Sequence, residues 1–161
     1  MEQPYFSRRH PVHLPPIERH NQSVIVLVTV CTDKRRHLLA RREAVDAILS
    51  AWCVAAGWQV GRYVMMPDHL HAFCTPAAFE APPLAVWVKF WKSVATRYWP
   101  FPGESPLWQA SFWDRQLRDS WHYGERWEYV RNNPVRAGLV KNAEDWPWQG
   151  EMNQFRFHDG G

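Results

Sequence analysis

Residues 58–76 read WQVGRYVMMPDHLHAFCTP. Two β-rich runs, WQVGRYVMM and HLHAFCT, flank Pro67-Asp68, and so short a turn leaves antiparallel pairing as a hairpin. Side chains alternate along a strand, so His69 and His71 point to one face while Leu70 and Ala72 point to the other, where they suit a core. Two neighbouring neutral imidazoles can chelate a divalent cation when a third ligand arrives from elsewhere in the chain. The alternative is a pair of surface histidines on the exposed face of an edge strand, and the spacing by itself does not choose.

Working outward from this hairpin, Ser23–Thr32 (SVIVLVTVCT) is rich in β-branched residues and predicts a strand buried on both faces. From Arg41 to about Ala56, Val45, Ile48, Leu49 and Trp52 fall at i, i+3, i+4 and i+7, the stripe of an amphipathic helix ended by Gly57. Pro82-Pro83 opens a second helix, with Leu84, Trp87, Val88, Trp91, Ala95 and Tyr98 on its apolar stripe and Lys89, Lys92 and Arg97 off it. Pro100 and Pro102 stop it. SPLWQASFWDRQLR, residues 105–118, supplies a fourth strand, and DSWHYGERWEYVRNN is helical up to Pro134. The order β-α-β-β-α-β-α predicts an α+β fold, a ferredoxin-like split βαβ antiparallel sheet with an added C-terminal helix.

The chain has 161 residues and a mass of 19.0 kDa, which is one domain's worth. Its longest apolar run, VIVLVTVC, is far below the roughly 18 residues of a membrane span. Residues 1–22 form a basic, proline-punctuated arm without the apolar segment of a secretory signal, residues 23–148 the folded domain, and residues 149–161 a tail. The expected location is the cytoplasm, away from membranes. Cys31, Cys53 and Cys74 are odd in number and contain no CxxC pair, so they predict small core residues rather than disulfides or a zinc knot. The net charge is only +3, yet the basic residues cluster at Arg8-Arg9, Lys34-Arg35-Arg36, Arg41-Arg42 and along Lys89, Lys92 and Arg97, a pattern suited to a polyanion. The 11 tryptophans supply indoles for the core and for stacking on unpaired bases.

A second constellation lies in RWEYVRNNPVRAGLV, residues 126–140. In a helix ending near Asn133, Tyr123, Trp127 and Val130 form the apolar stripe, while Tyr129 and Asn133, four residues apart, stack together on another side. This presents a phenol beside a carboxamide; a packing tyrosine and a helix-terminal asparagine before proline give the same pattern.

Taken together, YVMMPDHLHAFCTP resembles the HUH motif (histidine, hydrophobic, histidine) of single-tyrosine transposases. FWDRQLRDS and RWEYVRNNPVRAGLVKNAEDWPW are similar to the C-terminal signature of the REP-associated tyrosine transposases, relatives of the transposases of small bacterial insertion sequences. The likeness runs from about Val24 to Trp148. Asp68 departs from it, standing where asparagine often precedes the first histidine.

The resemblance implies that His69 and His71 are paired metal ligands, Asn133 the third ligand, Tyr129 the nucleophile, and Mg²⁺ or Mn²⁺ the cofactor. It implies cleavage and rejoining of single-stranded DNA through a 5′-phosphotyrosine, on DNA hairpins, by a monomer or homodimer. The chemistry suits the residues, since a phenol with a pKa near 10 is a weak nucleophile that needs activation and a cation on the phosphate relieves developing charge. Two other readings stand beside it: a non-cleaving hairpin binder on the same scaffold, and a hydrolytic nuclease in which Tyr129 only packs. Candidates for gripping DNA are Arg8, Arg9 and Arg19 in the arm and Lys89, Lys92 and Arg97 on the second helix.

Overall fold

The structure, a computed structural model, describes residues 24–155. Strand β1 (Ile25–Cys31) leads to helix α1 (Arg42–Val54) and the hairpin β2 (Trp58–Met65) and β3 (His69–Pro76). Helix α2 (Leu84–Tyr98) precedes β4 (Trp113–Leu117), followed by α3 (Ser120–Arg131), the single turn α4 (Asn133–Arg136) and the short strand β5 (Gln149–Glu151). The sheet is antiparallel throughout in the order β4-β1-β3-β2-β5. This is the expected split βαβ with its added C-terminal helix, widened by one strand. Residues 149–151, which the sequence assigns to the tail, form that fifth strand by pairing with Arg62–Val64. Gly150 lies against the Tyr63 hydroxyl, where a Cβ would intrude.

Strand β3 is central, bonded to β1 and β2, and its side chains divide the molecule. Leu70, Ala72 and Cys74 join Val26, Val28 and Val30 in the larger core beneath α1 and α2. The helices are tied down by aromatic side chains: Trp91 packs edge-on against Trp52, and the Trp87 indole donates to the Ala55 carbonyl at 3.1 Å. Tyr98, expected on the apolar stripe of α2, is 50% exposed, while Val94 is buried. The helix ends there and the backbone leaves extended at Trp99, so the Trp99 ring takes the core position instead. Cys31 and Cys74 are core residues as expected; Cys53 is exposed on the outer face of α1. Gly57, which follows α1, has φ +103, and a side chain there would meet the Pro82 ring.

On the other face, Ile25, Leu27, Val64, Phe73 and Leu117 form a smaller core that seats α3 through Tyr123, Trp127 and Val130. Phe73 meets Tyr123 and Trp127 edge-on, with ring centroids 5.1 and 6.0 Å away. Arg62 clamps the same helix, its guanidinium 4.9 Å from the Trp127 ring and its Nε donating to Glu151 on β5. Among the described residues no helix is long and apolar enough to cross a membrane.

Phe73→Ala removes the ring on which α3 rests. We expect a loss of about 3–5 kcal/mol, read from the urea unfolding midpoint, with amide exchange in α3 accelerated more than in α1 or α2.

Candidate active site

The pleat of β3 sends His69 and His71 to the face that carries α3, where His71 faces Thr29 on β1 and Val64 on β2. The alternative of surface histidines on an edge strand does not hold: β3 is central, and His69 and His71 are only 7% and 4% exposed. The chain passing from α3 into α4 roofs them with Asn133. Its Nδ2 lies 3.4 Å from His69 Nε2 and 3.2 Å from His71 Nε2. The rings stand edge to face with centroids 5.0 Å apart. Each Nδ1 has its own partner, Asp68 Oδ1 at 2.7 Å for His69 and Thr29 Oγ1 at 2.8 Å for His71. These bonds agree when both rings carry their proton on Nδ1, so that His69 donates to the carboxylate, His71 to the hydroxyl, and both Nε2 lone pairs converge on the amide.

Asp68 also accepts from Arg35 Nε at 2.9 Å. Burial alone would raise its carboxyl, but the hydrogen bonds and charges of His69 and Arg35 outweigh burial and hold it well below the usual carboxylate range. Burial, reinforced by His69, Arg136, Arg126 and Arg35, pushes His71 well below the ordinary histidine value, leaving it neutral near pH 7. A ring whose Nδ1 is held by a carboxylate or hydroxyl and whose Nε2 lone pair points inward is oriented as a metal ligand. Among the described residues no group of three His, Cys, Asp or Glu could hold a metal. The Asn133 carboxamide lies within reach of both Nε2 atoms and could supply a third donor.

Asn133 reaches this position by a change of helix. The sequence expects one helix ending near Asn133; instead α3 stops at Arg131, Asn132 adopts φ −86, ψ 0, and Asn133 starts α4 with Pro134 in its first turn. Proline cannot continue a helix but suits the start of one, so the joint falls at the residues before it. Tyr129 thus occupies the last turn of α3 and Asn133 the first position of the next.

Arg136, which the sequence reading does not single out, ties the two together. One Nη2 donates to the Tyr129 carbonyl at 2.6 Å and to Asn133 Oδ1 at 3.1 Å, and its guanidinium lies 3.7 Å from the Tyr129 ring centroid. Arg126 is 5.6 Å from the same ring. The signal available in the sequence is an arginine seven residues after the tyrosine and three after the asparagine, which becomes meaningful only once the helix joint is known. A phenol approached by two guanidiniums, beside a neutral His71, makes a surface for a phosphate rather than for a cationic or apolar ligand. Burial pushes the Cys31 thiol up to about 11 and Cys74 higher still, which leaves both as unreactive thiols.

Lys89, Lys92 and Arg97 lie on α2, across the sheet from the histidines. Lys92 is partly buried, its ammonium donating to the Gln109 carbonyl at 2.7 Å, and burial lowers its pKa. It is thereby tied to the fold, whereas Lys89 and Arg97 are exposed. Arg8, Arg9 and Arg19 lie outside the described residues.

The site thus lies in an antiparallel α+β sheet that buries two imidazoles beneath an asparagine, next to a tyrosine on an accessory helix. No family model matches the chain. The REP-associated tyrosine transposase of Escherichia coli K12 is 25% identical over 91 residues, 56% of this chain and 53% of that protein. A relative from Haemophilus influenzae is 27% identical over 95 residues, 52% of this chain and 53% of its own length. The chain thus spans about half the length of the curated relatives it matches. In fold it is similar to a REP-associated tyrosine transposase solved bound to a REP hairpin, with a TM-score of 0.66 and 23% identity across 84% of this chain and 82% of that one. The chain resembles the REP-associated tyrosine transposases in sequence and in architecture.

The electrostatics set an acid limit on stability. The folded values of His71 and Asp68 are depressed, so each contributes stability that is present above its unfolded value and lost as pH falls. In metal-free buffer the urea midpoint should begin to fall near about pH 6.5 and fall again below about pH 4. His71→Gln flattens the first limb and Asp68→Asn the second. A wild-type midpoint that stays constant from about pH 8 to about pH 5 would show that His71 charges as easily folded as unfolded.

Proposed function

We propose that the chain cleaves and rejoins a single DNA strand through a covalent bond between Tyr129 and a 5′-phosphate. The observation that carries this reading is the convergence of both Nε2 atoms on Asn133, whose carboxamide Arg136 links to Tyr129. A divalent cation, Mg²⁺ or Mn²⁺, would be held by His69 and His71 through Nε2 and by Asn133 through Oδ1, the atom that now accepts from Arg136. When bound, it would polarise a nonbridging phosphate oxygen and offset charge that builds during attack.

The protein's own residues do the rest. Asp68 and Thr29 fix the two rings so that their lone pairs need no reorganisation. Arg136 and Arg126 hold the phosphate beside the phenol. The Tyr129 hydroxyl oxygen forms a bond to phosphorus as the bond from phosphorus to the 3′-oxygen breaks; the phenolic proton passes to solvent, and the departing oxygen takes one up as a free 3′-hydroxyl. The phosphotyrosine is a diester like the bond it replaced. A 3′-hydroxyl of the same or another strand can therefore attack it, restore a phosphodiester and release the phenol without ATP.

The substrate in this reading is a DNA hairpin with unpaired sequence beside it, since the similar solved protein was bound to a REP hairpin and the chain shares its fold. The enzyme would act on cytoplasmic DNA. The active form in this reading is a monomer or a homodimer.

Labelled single-stranded DNA incubated with Mn²⁺ should become covalently attached to the wild-type protein, a species that survives denaturing electrophoresis. Tyr129→Phe should lower the yield to about one hundredth or less while retaining DNA binding, because only the hydroxyl is lost. Cleavage without any adduct would point to hydrolysis, and binding with neither would point to a non-cleaving hairpin binder.

Saturating Mn²⁺ should raise the thermal midpoint of the wild type by roughly 5 °C and leave the His69→Ala, His71→Ala double variant unmoved. Equal shifts in both proteins would place the ion elsewhere.

A further inference from the structure

A cleft of about 310 Å³ lies between the edge strand β4 and α3, lined by Arg115, Gln116 and Arg118 from the strand and its exit and by His122, Glu125 and Arg126 from the helix. It is continuous with the site just described in two ways. On β4, Arg115 points to the same face as Trp113, which pairs with Thr29 and so shares a cross-strand row with His71. Arg115 is two residues, about 7 Å, along the strand from that row. On α3, His122, Glu125, Arg126 and Tyr129 follow at helical spacing and form one stripe, so the wall of the cleft runs up to the phenol. Arg126 lines the cleft and also approaches the Tyr129 ring.

The lining selects an anion. Arg115 and Arg118 are exposed, while the acidic groups nearby are Glu125 and Asp119, the latter engaged by the backbone N–H and ring of His122. In the first turn of α3, next to the lining residue His122, Trp121 is 65% exposed, with its ring centroid 5.1 Å from that of His122. Tyr123 and Trp127 of the same helix are packed on the sheet, whereas the Trp121 indole is left to solvent. A flat aromatic face beside spaced guanidiniums is the arrangement that takes an unpaired base and its phosphates, since a base within a duplex has both faces already stacked.

We propose that this cleft is the track for a single DNA strand entering the site, with Trp121 stacking one unpaired base and Arg115 and Arg118 holding successive phosphates. Arg126 receives the phosphate next to Tyr129. The proposal rests on the DNA reading above and adds where the strand lies and which end of α3 it crosses.

The test measures binding of the full chain to labelled oligothymidine and to a duplex of the same length across a salt series, by fluorescence anisotropy. On oligothymidine, Arg115→Ala with Arg118→Ala should reduce the slope of log affinity against log salt by about 1.4, two contacts at about 0.7 each. Arg115→Lys with Arg118→Lys should keep the slope, and Trp121→Ala should weaken binding about tenfold without changing it. Duplex binding should be unaltered in every variant. Wild-type slope and affinity on oligothymidine in the alanine variants would overturn the track while leaving the tyrosine chemistry intact, as would equal losses on single strand and duplex. A wild-type chain that bound neither probe would overturn the DNA reading itself, and the track with it.

Discussion

Everything in this molecule depends on the pleat of its central strand. Because β3 is bonded on both sides, its backbone polar groups are satisfied whatever its side chains are, and alternation then decides which of them meets which layer. Leu70 and Ala72 anchor the strand in the larger core, which leaves His69 and His71 no choice of face. A slip of one residue would bury imidazoles among tryptophans and expose leucine to the site. The register is thus enforced by the hydrophobic effect, and the positions of the histidines follow from it.

The second layer adds precision by using polar groups that the sheet itself does not need. Asp68 sits just before β3, where Arg35 and His69 share its carboxylate, and Thr29 serves His71 from the neighbouring strand. The helix that carries the phenol is seated independently by Phe73 and clamped by Arg62. Site and scaffold meet at the joint before Pro134, where the end of one helix and the start of the next place Tyr129 and Asn133 on either side of Arg136. Three arginines lower the pKa of a buried histidine that is already desolvated, so the same charges that suit a phosphate also keep the ring neutral.

The sequence showed much of this where local geometry decides the outcome. The hairpin, the common face of His69 and His71, and the stripes of α1 and α3 follow from periods of two and of about 3.6, which tertiary structure seldom overrides. Burial of the histidines was not legible, because it depends on a segment about sixty residues away in sequence folding over them. Nor was β5, three residues of QGE with no apolar pattern, which exists only because β2 offers an edge and glycine tolerates the Tyr63 hydroxyl. Lys92 reads as a surface cation by spacing, yet the Gln109 carbonyl that claims it belongs to an irregular segment. Arg136 escaped notice for a similar reason: its role arises from a helix joint, and helix ends are where pattern is least informative.

The separation of the parts along the chain has a consequence for biosynthesis. Histidines 69 and 71 leave the ribosome well before Tyr129 and Asn133, and nothing in the first three strands brings a phenol or a carboxamide to them. A truncated or half-translated product that has formed its central sheet therefore carries an incomplete set of groups, whatever its stability. In the reading proposed above, a product that ends before residue 129 holds both imidazoles in its sheet without the phenol that would react.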